Sequence, residues 1–145
     1  MTAQARTRKQ RLVLIRSIAF LVILAALWIV FSIQGQSPTV TNVVMATALD
    51  DQYRPVHITE TYHPTDMFAV SVEVKNYRRD DPLVARWLYE GSEIDRTQLA
   101  SDVTGNIHAG FVLQNSNPPW PLGRYRVEIL YKAEILGTAD FTVEK

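Results

Sequence analysis

Cysteine is absent from this chain. That excludes disulfides, thiolate metal sites, cysteine nucleophiles, thioether-bound haem and lipid modification of an N-terminal cysteine. Glycine is scarce, with 6 residues in 145, and neither a phosphate-cradling loop nor a dinucleotide fingerprint occurs. Acid is missing from residues 1–33, which carry Arg6, Arg8, Lys9, Arg11 and Arg16 with no carboxylate to balance them. Residues 34–145 therefore hold ten bases against fifteen acids. The formal net charge of zero conceals a basic head on an acidic body. Such a body argues against nucleic acid as a partner, because phosphate binding needs a clustered basic face.

Charge is also missing from Ser17–Ile33, a run of 17 residues reading SIAFLVILAALWIVFSI. Leu12–Ile15 adds four apolar residues beyond Arg16, whose long stem can carry its guanidinium to headgroup level. Residues 12–33 are thus long enough for a transmembrane helix, which needs about 20 residues. The basic tail 1–11 places the N-terminus in the cytoplasm and the rest periplasmic or extracellular. The rival reading is a cleaved secretory signal. Its apolar core would run only about 7–15 residues before a small-residue site, and the nearest small pair here, Gly35 and Ser37, is followed at once by Pro38. An uncleaved anchor in the lipid bilayer is expected. The run contains no His, Asp or Glu, so it offers neither a haem ligand nor a proton relay.

Residues 34–39 form a short linker, and from residue 40 the pattern turns to β. Phe68, Val70, Val72 and Val74 alternate onto one face, as do Ile107, Ala109, Phe111 and Leu113, and Tyr125, Val127, Ile129 and Tyr131. Further strands are expected at 40–49, 84–90, 94–99 and 137–144, with a short edge strand at 56–61. Turns are expected at 76–82, 101–106 and 114–123. Seven or eight strands in residues 40–145 predict an all-β sandwich with one core.

Trp87 stands on the third main strand, and Gly123-Arg-Tyr125-Arg-Val127 follows a long loop. This arrangement resembles an immunoglobulin-like β-sandwich. In the resemblance Val127 takes the place of the second cysteine of antibody domains and Val72 or Val74 that of the first. It implies that Trp87 and these valines fill the space between the sheets, and that the Tyr125 hydroxyl bonds to nearby backbone. Pro64-Thr-Asp66-x-Phe68, Trp120–Ile129 and Ala139–Val143 are similar to membrane-anchored bacterial ectodomains of this fold. In size and layout the chain also resembles the small single-span subunits of alternative complex III.

Several residue groups invite a chemical reading. His57, His63 and Asp66 have metal-binding side chains, but no regular element fixes their spacing, and a solvated turn is expected. Asp50-Asp51 and Asp80-Asp81 lack the alternation of a calcium loop, so turn capping is expected of them. Arg78-Arg79 belongs to a solvated turn. The three histidines are scattered, and no serine or threonine sits in a nucleophile turn. Neither an enzyme nor a cofactor is expected. The proline-stiffened Asn117-Pro-Pro119-Trp120-Pro121 loop is the candidate partner contact, since rigid aromatic anchors dominate many interfaces. The alternative for Trp120 is that it folds over the open end of the sandwich and covers Tyr125 or Phe111.

Together these observations lead to the expectation of a non-catalytic, membrane-anchored accessory subunit. It would dock on the outer face of a multi-subunit membrane complex such as a respiratory or photosynthetic electron-transfer assembly. The alternative is a free-standing surface receptor or adhesion module binding peptide or carbohydrate.

Overall fold

The computed structural model describes Ile23, residues 37–99 and residues 102–145. The expected span 12–33, apart from Ile23, and the bases Arg6, Arg8, Lys9, Arg11 and Arg16 lie outside the described residues. Among the described residues no helix is long and apolar enough to cross a membrane. The chain divides into two units, residues 1–36 and 37–145.

Among its described residues the second unit is an all-β sandwich of nine strands: β1 (Thr39–Leu49), β2 (Pro55–Ile58), β3 (Thr61–Tyr62), β4 (Phe68–Tyr77), β5 (Leu83–Tyr89), β6 (Ser92–Leu99), β7 (Gly105–Leu113), β8 (Gly123–Tyr131) and β9 (Glu134–Val143). They form a four-stranded sheet in the order β2-β1-β4-β7 and a five-stranded sheet in the order β3-β9-β8-β5-β6. The alternating residues of β4 and β7 face those of β5, β8 and β9 across one core, in which Phe68, Val70, Val72, Trp87, Val127 and Ile129 are at most 1% exposed. Burial of this apolar surface, at about 25 cal/mol per Å², is what drives the two sheets together.

The strand count exceeds the expected seven or eight because the edge strand anticipated at 56–61 breaks in two. Thr59 makes the break: its Oγ1 donates to the Thr61 carbonyl at 2.7 Å and accepts the Thr61 N–H at 3.1 Å. Such local side-chain bonds compete with a continuous ladder. Upstream of it β2 runs antiparallel to β1 in one sheet. Downstream, β3 runs parallel to β9 in the other.

Two turns also differ from expectation. β4 continues to Tyr77 through an irregularity at Asn76, where φ is 57°. The reason is Tyr77 itself, a buried ring whose hydroxyl donates to the Asp81 carbonyl at 3.1 Å. β9 begins at Glu134, three residues before the expected start, because Lys132 (φ 51°) and Ala133 (φ 66°) make a two-residue hairpin turn. Turns of this hand ordinarily use Asn or Gly.

Part of the outer face of the four-stranded sheet, around Ser71 and Gly110, is covered by its own chain. Asp50 Oδ1 accepts the N–H groups of Gln52 and Arg54, each at 2.8 Å, and shapes the β1–β2 loop. The loop folds back so that the Tyr53 carbonyl accepts Ser71 Oγ at 2.7 Å. A Cβ at Gly110 would meet Leu49 Cδ1 at 2.5 Å and Tyr53 Cδ1 at 2.8 Å, so this close approach requires glycine. The same cover explains why Ala69 and Ser71, on the outward side of β4, are buried along with the inward valines.

Candidate interaction surface

The end of the sandwich carrying the 63–67 turn and the 114–123 loop gathers His63, Asp66 and the Asn117–Pro121 segment singled out by sequence. Asp66 organises it. Its Oδ2 accepts the His63 N–H at 2.7 Å, and its own N–H donates to the His63 carbonyl at 3.0 Å. The Asp66 carbonyl accepts Trp120 Nε1 at 2.9 Å, and the Pro64 carbonyl accepts the Trp120 N–H at 2.7 Å. Both polar groups of Trp120 are thereby satisfied, and its ring stacks on Phe68 at a centroid distance of 4.6 Å and an interplanar angle of 21°. Trp120 also meets Tyr125 edge-on at 6.3 Å. The ring is half-buried and closes this end of the core. Of the two covers anticipated for it, Tyr125 is found, and Phe68 takes the larger share.

Trp120 fixes what surrounds it. Pro118, Pro119, Pro121 and Leu122 are exposed, and Met67, 37% exposed, accepts a bond from Gln114 Nε2 at Sδ. Behind this rim the Tyr125 hydroxyl donates to the Pro121 carbonyl and the Tyr89 hydroxyl to the Leu122 carbonyl. Burial pushes the Tyr125 hydroxyl up to about 12, so it remains a donor throughout the neutral range. At Gly123, φ is 145° and a Cβ would lie 2.7 Å from Glu90 Oε1. Only glycine lets β8 start there while Glu90 accepts the Arg124 N–H at 2.7 Å. That bond holds the Glu90 carboxyl below its ordinary range.

The remaining candidates are dispersed. His57 lies exposed on β2, His63 in the turn and His108 on the outward side of β7. Among the described residues no group of three or more His, Asp or Glu side chains is placed to hold a metal. Asp50 caps its loop as expected, and the N–H of Arg54 is the main cause of its lowered pKa. Asp81 pairs with Lys132 at 3.0 Å.

The outer face of the five-stranded sheet bears an open groove of about 800 Å³, lined in part by Glu60, Leu88, Arg124, Arg126, Glu128 and Asp140. Its charges answer one another across the strands. Arg126 pairs with Asp140 at 2.6 Å, Arg124 with Glu90 at 3.5 Å, and Arg86 with Glu128. Glu128, which the alternation of β8 turns outward, is buried beneath Arg86. Leu122, Met67 and the Glu90–Arg124 clasp were not singled out from sequence. Leu122 and Met67 are single apolar residues beside prolines, and only the fold brings them to one rim.

Comparison with known proteins agrees with this architecture. No family model and no curated protein matches the sequence. The crystal structure of an immunoglobulin-like protein from Pseudomonas aeruginosa overlays with a TM-score of 0.54 at 12% identity, covering 75% of this chain and 98% of that one. The chain therefore has an immunoglobulin-like β-sandwich fold. An alkylpurine DNA glycosylase from Pseudomonas fluorescens, bound to DNA containing an abasic site analog, overlays with a TM-score of 0.46 at 12% identity, over 79% of this chain and 32% of the glycosylase.

Proposed function

We propose that the protein is a non-catalytic, membrane-anchored accessory subunit whose sandwich docks through the rim around Trp120 on the outer face of a membrane complex. A respiratory or photosynthetic electron-transfer assembly is the kind of complex that such a subunit fits. The observation that carries the reading is the rim: Pro119, Pro121 and Leu122 exposed on a loop that Trp120 locks by two hydrogen bonds and a stack on Phe68. Rigid apolar surface binds well because little ordering entropy is lost on contact. The uncharged run 17–33 with its five flanking bases supports an anchor with the sandwich outside the cytoplasm. The groove on the five-stranded sheet supports a role without chemistry, since its Arg126 and Arg124 are neutralised by Asp140 and Glu90.

The test is purification of the full chain from its own membrane in mild detergent, with mass spectrometry of what accompanies it. Stoichiometric partners are expected, and the double variant Met67→Glu, Leu122→Glu should lose them while keeping the thermal stability of the wild type. A chain that migrates alone would overturn the proposal and favour a free-standing receptor.

A further inference from the structure

The chain crosses between the sheets at both sides of the sandwich. On one side it passes from β2 to β3, and Gly137 of β9 packs against β1, where a Cβ would come 2.8 Å from Val43 Cγ2. On the other side it passes from β6 to β7, which end the two sheets there. An unpaired edge is a row of N–H and C=O groups that templates another strand unless it is blunted.

Three of the four edge strands are blunted. β3 has two residues; β2 has four, starts with Pro55 and takes His57 through φ 53°. β6 carries Glu93, Asp95 and Arg96, and its register against β5 shifts at Trp87/Leu88. β7 has no charge, no proline and no shortening; its one irregularity lies at its start, between Gly105 and Ile107. It is nine residues long, contains no Lys, Arg, Asp, Glu or Pro, and pairs with β4 in unbroken register from Leu113 to Ile107. Beside its free edge, the outward face exposes Val112 (40%) and Tyr53 (47%), the latter packed over Gly110.

We propose that β7 is a self-pairing edge, taking the β7 of a second copy antiparallel about a two-fold axis near Ala109 and joining two four-stranded sheets into one of eight strands. In that register Ile107 lies opposite Phe111, His108 opposite Gly110 and Asn106 opposite Val112. Core-facing positions then meet core-facing positions, because successive side chains alternate between faces. The strand's own composition selects this occupant: without a charged side chain it meets an identical strand with no like-charge pair, and a two-fold contact needs one self-complementary patch. The Tyr53–Val112 surfaces of both copies come to the same face of the joined sheet. One strand pair buries less than the roughly 1,000 Å² of a stable interface, so the dimer is weak and dependent on concentration. The proposal does not rest on the accessory-subunit reading.

Because the chain lacks cysteine, each introduced cysteine is a unique reporter. The overexpressed full chain carrying His108→Cys is treated in cells with a short bis-maleimide, beside Asp95→Cys on β6 as control. A covalent species of twice the chain mass is expected from His108→Cys, not from Asp95→Cys, and it should disappear when Val112→Lys is added at this exposed position. Equal yields at both sites, a dimer that survives Val112→Lys, or no product from His108→Cys would overturn self-pairing. A product joined to a different protein would also overturn it and place that protein at the edge.

Discussion

The hydroxyl of Tyr125 donates to the carbonyl of Pro121 at 2.8 Å, four residues back along the chain. This one bond ties the start of β8 to the loop that carries Trp120. The ring of Tyr125 meanwhile packs into the aromatic cluster of that end, stacked on Phe141 at 5.3 Å and edge-on to Phe68 at 5.4 Å. The resemblance to immunoglobulin-like domains implied a backbone partner for this hydroxyl, and Pro121 supplies it.

Replacing Tyr125 by Phe keeps the ring and removes only the bond. A net loss of about 1 kcal/mol is expected, which lowers the melting temperature of a domain this size by about 4 °C. Differential scanning calorimetry of the two proteins checks this. An unchanged melting temperature would mean that ring packing alone holds the corner.

The Lys132-Ala133 turn predicts the opposite sign. Ala133 is exposed and sits at φ 66°, a region that costs an L-residue with a Cβ roughly 1–2 kcal/mol. Ala133→Gly relieves that cost but gains freedom in the unfolded chain, leaving a net stabilisation of roughly 0.5–1 kcal/mol. Lys132, bonded to Asp81 and lying 5.6 Å from the Tyr131 ring centre, is left in place. Urea denaturation at constant m-value measures the difference, and a lower midpoint would refute it.

Acid should weaken the fold through four carboxylates. Asp50 and Glu90 are lowered chiefly by backbone N–H groups of Arg54 and Arg124, and Glu93 and Asp140 by the side chains of Arg96 and Arg126. A folded-state pKa below the unfolded one means that the folded chain binds fewer protons. Stability is then fully present above the ordinary carboxylate range, about 3.9–4.3, and is lost as pH falls from that range through the lowered folded-state values. Melting temperature should be flat from neutral pH to about 5 and decline below 4. Asp50→Asn should melt lower at pH 7 and show a shallower decline, because an amide oxygen accepts the loop's N–H groups less strongly and does not titrate.

The parts of the fold legible in the sequence are those where burial obeys a period of two. Phe68–Val74, Ile107–Leu113 and Tyr125–Tyr131 alternate because one face of each strand meets the core. Trp87 was legible for its size and Gly123 for its place before Tyr125. The split between β2 and β3 was not, because Thr59 reads as an ordinary strand residue and only its hydroxyl's two bonds to Thr61 break the ladder. The Lys132-Ala133 turn was hidden by the absence of Asn or Gly. At the rim, the sequence marked Trp120, Asp66 and Pro64 but not that they join, because Trp120 is distant in sequence from the other two. The lack of charge in β7 is plain in the sequence, yet it becomes informative only once strand order makes β7 an edge.

The parallel pairing of Thr61 and Tyr62 with Thr142 and Val143 bears on how the domain is made. β3, formed early in the sandwich, has its mate in β9, the last of the nine strands. Until those residues leave the ribosome, Tyr62 lacks Phe141, its edge-on neighbour at 5.3 Å, and the five-stranded sheet lacks both of its outer members on that side. Folding of this sandwich is therefore tied to the emergence of β9, and a nascent domain must be kept from aggregating until that strand leaves the ribosome.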